Sequence, residues 1–273
     1  MPAAAFAFAL AAAALHAGWN VLVGGAHDVR AMTTVTLALA VLLFAPVAVA
    51  TWSVERAALP WIAASAVLEL VYFWLLVTAY ARSDVSLVYP ISRGGAPVLV
   101  LLVSSLVGTE VGLWQGVGVA FVGVGVMLVR GRLDRADRRG LLLALAIAAT
   151  IAGYTLVDKE GIRHAAPIPY LELVLVPVTV AITASELASR RVGALRVCLG
   201  WQSVGAALAT FGAYTLILAA LDRAPAAAVA AVRESGVLIA VCLSAIVLHE
   251  RVTTARAAGA VLVVAGVSLV ALT

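Results

Sequence analysis

The sequence predicts an all-α polytopic membrane protein, with ten transmembrane helices arranged as two inverted five-helix repeats. Three observations carry that prediction. Hydrophobic residues make up 64% of the 273 and charged residues 12%, with a mean hydropathy of +1.11, whereas a water-soluble domain of this length needs far more polar surface. The apolar residues are gathered in runs of about 20, the length that crosses a bilayer core. The second half of the chain also lies over the first when shifted by 140 residues.

Span one, 3–23, has no basic segment before it and is expected to be a mature first helix rather than a cleaved signal. His16, Trp19 and Asn20 fall at i, i+3 and i+4 and make one stripe on it. The break "GGAHDVR" leads to span two, 32–52, and "SVERAA" to span three, 60–80. Glu69 there shares a face with Tyr72, Phe73 and Leu76. After "ARSD", span four, 85–107, contains "LVYPISRGGAP", in which Tyr89, Arg93 and Pro97 are spaced four apart on one face. Span five, 113–129, carries the glycine-rich run "GVGVAFVGVG", a face for close helix packing.

The Arg-rich linker 130–139 divides the chain. Span six, 140–158, repeats the stripe of span one as Tyr154, Thr155 and Asp158, and its end, Asp158-Lys159-Glu160, reads as a cluster at the membrane interface. Span seven is 168–186, and span eight, 199–221, carries Tyr214. Span nine, 226–247, carries Arg233 and Glu234, and span ten, 256–273, has the glycine run "GAVLVVAGV".

The 140-residue shift places Arg93 on Arg233 and Glu110 on Glu250, and after a slip of one residue "GVAFVGVGV" lies over "GAVLVVAGV". The units are therefore 1–129, the linker 130–139, and 140–273. Five spans is an odd number, so the second copy enters the membrane from the opposite side and the halves are inverted.

The segments "HAGWN" (16–20), "DVSLVYPISRGGAPVLVLLVSSLVGTEV" (84–111) and "RAPAAAVAAVRESGVLIAVCLSAIVLHERVTTARAAGAVLVVAGV" (223–267) resemble the ten-helix EamA branch of the drug/metabolite transporter superfamily. "GTEVG" and "LHERV" stand where that family has a Gly-Glu-Arg turn, a departure that touches the hairpins. The resemblance implies an exporter or exchanger of amino acids, metabolites, drugs or phosphorylated sugars.

Depth points to a site. Counted along the helix axis, Arg93 lies about 12 Å inside its span, His16 about 10 Å and Glu69 about 16 Å from the same face, and Arg233 about 10 Å from the opposite one. Unpaired charge at such depth is costly, so these groups are expected to line one cavity, with Glu69 the partner of Arg93. The expected substrate-binding set is His16, Trp19, Asn20, Glu69, Tyr72, Tyr89, Arg93, Tyr154, Tyr214 and Arg233. Two arginines near the midplane suit a carboxylate or phosphate. The aromatic rings, Trp74 among them, suit amphipathic or zwitterionic molecules.

The sequence has no Walker motif to bind ATP, so transport would run on an ion gradient or exchange. Glu69, His16 and Glu234 are the candidate proton carriers, because carboxyl and imidazole groups held away from water can exchange a proton near neutral pH. The expected function is a secondary transporter, an exporter of amino acids or related zwitterionic and anionic metabolites. Efflux of cationic compounds stays open through Glu69 and Glu234. An intramembrane enzyme acting on lipid finds no support in an H-E-x-x-H or G-x-S-x-G motif. No cofactor and no metal are expected, since Cys198 and Cys242 lack ligand spacing. Expected partners are the small-molecule substrate and the lipid bilayer, with no nucleic acid, and the chain is expected to act as a monomer. The basic linker suits anionic headgroups better than nucleic acid.

Seventeen of the eighteen basic residues are Arg, a usage associated with GC-rich bacterial genomes, and the expected location is a bacterial cytoplasmic membrane. Twelve of them, including Arg30, Arg130, Arg190, Arg191 and Arg196, fall in odd-numbered loops, against Arg56, Lys159, Arg163 and Arg223 in even ones. That bias puts the odd loops on the cytoplasmic side.

Overall fold

The computed structural model describes residues 1–24, 26–83, 85–108, 112–130, 138–236, 239 and 253–272. Glu110, Glu250, Cys242 and linker residues 131–137 lie outside the described residues.

The described chain is helical: α1 Ala3–Gly24, α2 Val29–Ala50, a 3₁₀ turn Arg56–Ala58, α3 Leu59–Arg82, α4 Val85–Leu106 and α5 Leu113–Arg130. There follow α6 Arg138–Gly161, α7 Pro167–Ala188, the short α8 Val192–Val197, α9 Trp201–Arg223, α10 Ala226–Arg233 and α11 Thr254–Leu272. Proline in the first turn starts α3 and α7, where its missing N–H has no helical partner to lose. Asp28 caps α2, its carboxylate accepting from the Ala31 N–H at 3.0 Å. That bond, with the Arg191 guanidinium, holds the Asp28 carboxyl below the usual aspartate range. A lowered value means that the cap's contribution is present at neutral pH and is lost as pH falls through the folded-state value.

Five described helices are long and apolar enough to cross a membrane (Val29–Ala50, Arg56–Ala79, Arg138–Gly161, Pro167–Ala188 and Trp201–Arg223), and four shorter apolar ones accompany them. Outward faces expose Leu42, Val67, Leu106, Leu142, Val180 and Trp201. So much apolar surface suits lipid and not water, and the chain is an integral multi-pass membrane protein.

The packing has a regular pattern. α1 packs on α9 and α3 on α6; α2 packs on α9 and α3 on α7; α4 packs on α6 and α1 on α10; α4 packs on α5 and α10 on α11. α2 meets α7, α4 meets α10 and α5 meets α11. Exchanging α1 with α6, α2 with α7, α3 with α9, α4 with α10 and α5 with α11 turns each of these contacts into another of the same set or into itself. The loops behave likewise. The chain after α2 meets the chain after α6 through the Val54–Ala165 bridge and the Glu55 N–H to His164 carbonyl bond of 2.9 Å. The chain after α1 meets the end of α7 through the ion pairs Asp28–Arg191 and Arg30–Glu186, with Arg191 Nε 3.1 Å from Glu186 Oε2.

Glycines decide how α5 and α11 meet. A Cβ on Gly118 would lie 2.8 Å from the Gly266 carbonyl oxygen, one on Gly125 2.7 Å from that of Gly259, and one on Gly266 2.5 Å from that of Gly118. Contacts 118 to 266 and 125 to 259 run in opposite directions along the two helices, which therefore cross antiparallel. The 141-residue shift that lays "GVAFVGVGV" over "GAVLVVAGV" converts one contact into the other. Gly125→Ala is expected to cost about 1–3 kcal/mol, as overpacking does, whereas Gly116→Ala, with nothing within 4 Å of the new Cβ, is expected to be neutral. Thermal unfolding of the two variants in detergent checks both.

Candidate functional site

The glycine pair beside Arg93 works the same way. A Cβ on Gly94 would lie 3.0 Å from the Gly123 carbonyl of α5, and one on Gly95 3.4 Å from Ala148 of α6. The "RGG" stretch thus lets α4 press against the backbone of α5 and the Ala148 methyl of α6. Arg93 itself is buried and lines a cavity of about 940 Å³.

That cavity takes residues from α1, α2, α3, α4, α6, α7, α9 and α10. Its lining reaches Val23 near the end of α1, Val29 and Arg30 at the start of α2, Thr78 near the end of α3 and Ser185 near the end of α7. The chamber therefore extends toward the side where the loops after α1, α3 and α7 lie.

Eight of the ten expected binding residues line it: His16, Trp19, Glu69, Tyr72, Arg93, Tyr154, Tyr214 and Arg233. Asn20 and Tyr89 sit on α1 and α4, and their side chains are outside what is described. Glu234 is buried behind Arg233, its Oε1 3.5 Å from Arg233 Nε.

The pairing inside the cavity differs from expectation. Arg93 Nη2 is 2.9 Å from His16 Nε2. Since an arginine can only donate, His16 Nε2 is the acceptor and carries no proton there. Glu69 is engaged instead by Tyr214, whose hydroxyl lies 3.0 Å from Glu69 Oε1. Spacing along one helix fixes depth but not which facing side chain is reached first. His16 and Trp19 rings are 5.2 Å apart, and Tyr154 lies 6.1 Å from both Tyr72 and Tyr214, so aromatic rings from three helices form one wall.

Asp158 corrects the reading of an interface cluster. It is 1% exposed and inside α6, with Oδ1 accepting from the Tyr170 hydroxyl at 2.9 Å and Oδ2 2.8 Å from the Tyr214 hydroxyl. Its neighbour Lys159 points elsewhere and donates to the Leu221 carbonyl. Asp158 and Tyr170 stand behind the cavity wall that Glu69 and Tyr214 form. Tyr170 packs its ring against Gly161, where any Cβ would collide with it. The available signal was the four-residue spacing of Tyr154 and Asp158, which puts the acid on the cavity side of α6.

Several buried donors at the wall have no hydrogen-bond partner among the described residues: Trp19 Nε1, Thr210 Oγ1 and Arg233 Nη2. Three arginines, Arg30, Arg93 and Arg233, line the chamber against one carboxyl, Glu69. The arrangement offers hydrogen-bond donors and positive charge to whatever enters.

Residues 138–272 match the family described as EamA-like transporter family. A solved structure described only as "Crystal structure of protein" superposes with a TM-score of 0.76 at 14% identity, covering 100% of this chain and 98% of that one. At that identity the likeness is one of fold. No curated protein matches the sequence.

Proposed function

Residues 138–272 belong to the EamA-like transporter family, in the drug/metabolite transporter superfamily, and on that footing we propose that the chain is a secondary transporter of small anionic or zwitterionic metabolites, amino acids among them. One observation carries the substrate class. Arg233 has a side chain only 9% exposed, and its Nη2 has no hydrogen-bond partner among the described residues, in the same cavity as Arg93. A buried polar group without a partner costs roughly 1–3 kcal/mol, more when charged, and an incoming carboxylate or phosphate removes that cost. Cationic efflux fits less well, because Arg93 and Arg233 line the cavity with one acid, Glu69, while Arg30 is engaged by Glu186.

Alternating access is the proposed mechanism, with 1–129 and 140–273 as inverted halves. The exchangeable packing pattern and the antiparallel glycine crossing of α5 and α11 support it. The ninth span, 226–247, would begin with α10, and α11 would be the tenth. The chamber extends toward the loops richest in arginine. If those loops are cytoplasmic, this is a cavity loaded from inside, as export from a bacterial cytoplasmic membrane requires. Proton coupling through Glu69 is the proposed energy source.

The test is flux in proteoliposomes. Unlabelled amino acid or phosphorylated metabolite trapped inside should drive saturable uptake of its labelled form against the label's gradient. Linear flux without counterflow would mark a channel and overturn the reading.

A further inference from the structure

We propose that Glu69, Tyr214 and Asp158 form a relay that holds one proton between two carboxyls, with the phenol hydroxyl as the bridge. The site stands on geometry; its use in coupling rests on the transporter reading above.

Tyr214 Oη lies 3.0 Å from Glu69 Oε1 and 2.8 Å from Asp158 Oδ2. A phenol has one hydrogen to donate, and an ionised carboxylate can only accept. If both acids were ionised, one of these two short contacts would set oxygen lone pairs against each other with nothing between. Both contacts are satisfied when one carboxyl carries a hydrogen and donates it to Tyr214, which donates its own to the other acid. Burial points the same way: Glu69 is 4% exposed and Asp158 1%, and two like charges in one water-poor site resist ionising together.

Two arrangements meet this condition. In one, Glu69 is the acid and Asp158 the carboxylate, with Asp158 receiving hydrogens from Tyr214 and from Tyr170 at 2.9 Å. In the other, Asp158 is the acid. They interconvert when Glu69 passes its hydrogen to Tyr214 Oη while Tyr214 passes its own to Asp158 Oδ2. One O–H bond breaks and one forms at each transfer, the phenol ends neutral, and the net change is one proton moved from the cavity wall to the buried side.

The groups facing the relay are Tyr154 from α6, Tyr170 from α7, Ser65 from α3, Arg93 from α4 and Arg233 from α10. His16 from α1 meets Arg93. The two guanidiniums allow one negative charge in the pair to persist. Arg233 supplies an independent pointer to a ligand, since its Nη2 has no hydrogen-bond partner among the described residues and Arg233 lines the cavity that Glu69 and Tyr214 also line. A zwitterion with its carboxylate on Arg233 and its ammonium near Glu69 needs Glu69 ionised. Its entry drives the hydrogen to Asp158, away from the side on which it entered.

Infrared difference spectra of the full chain in lipid vesicles, titrated through neutral pH in H₂O and D₂O, test this. The carboxylic-acid C=O band reports the hydrogen directly. Wild type is expected to lose one such band over a one-proton step. Glu69→Gln and Asp158→Asn are each expected to lose that same band, and the double variant to lose no more. Tyr214→Phe keeps the ring and is expected to replace the single step with two, so it decides the matter should Asp158→Asn fail to fold. A band that survives in Asp158→Asn, or a single step unchanged in Tyr214→Phe, overturns the relay. The readout needs no transport, so it stands apart from a failure of the flux assay.

Discussion

Arg93→Lys is expected to fold and to bind an anionic or zwitterionic substrate at least tenfold more weakly, a loss of about 1.4 kcal/mol. Arginine presents a planar fork of donors that stays charged, and lysine a point charge on a flexible stem. Arg93 meets His16 Nε2 at 2.9 Å through Nη2, one contact of a planar fork that carries further N–H donors. A lysine that satisfies the imidazole has no rigid second arm. Binding by calorimetry or by substrate-dependent thermal shift measures the change, with helix content by circular dichroism as the folding check. Arg93→Ala would be harder to interpret, since it removes packing as well as charge. If Arg93→Lys binds and transports as the parent does, Arg93 is not part of the substrate clamp.

Glu69→Gln is expected to abolish uphill transport while sparing counterflow. Counterflow needs only that the loaded cavity change sides, whereas uphill movement needs a proton to be taken up and released. The amide keeps the size of the side chain and can still meet the Tyr214 hydroxyl, so the fold should survive. Uphill transport at the parent rate in Glu69→Gln would move the proton to His16 or Glu234.

Among the described residues, the long helices other than that of span nine were legible in sequence to within a few residues, because a bilayer demands long apolar runs and the breaks between them carry charge or glycine. The disagreements have local causes. Asp28 starts α2 at Val29, ahead of the apolar run, because its carboxylate caps the first turn. α6 continues through Asp158 to Gly161, where a charged triplet suggested an end, because Tyr170 and Tyr214 satisfy the buried acid. α8 is six residues long, too short to leave a periodic pattern. The cavity was legible as a stratum: His16, Glu69 and Arg93 share a depth that lipid would penalise. Their pairing was not, because it depends on how each helix is rotated and which neighbour arrives first. Nothing in a linear reading joins Tyr214 to acids 145 and 56 residues away.

The glycine crossing of α5 and α11 is the stiff member of the molecule. Gly118 and Gly125 touch their opposite numbers about 10 Å apart along the axis, and two fixed points leave a rod no freedom to slide. A shift along the helix would bring Val119 or Val122 against a backbone that now has room only for hydrogen. Any large motion must then be a swing about this spine, with the least travel beside it and the most at the helices hung farthest from it. α2 and α7, whose packing is chiefly with each other and with α3 and α9, are the long arms of that lever, and the ion pairs joining Arg30 and Arg191 to Glu186 sit at their tips. A small torque at the substrate is thus read out where leverage is greatest, at a clasp of charges that water can loosen.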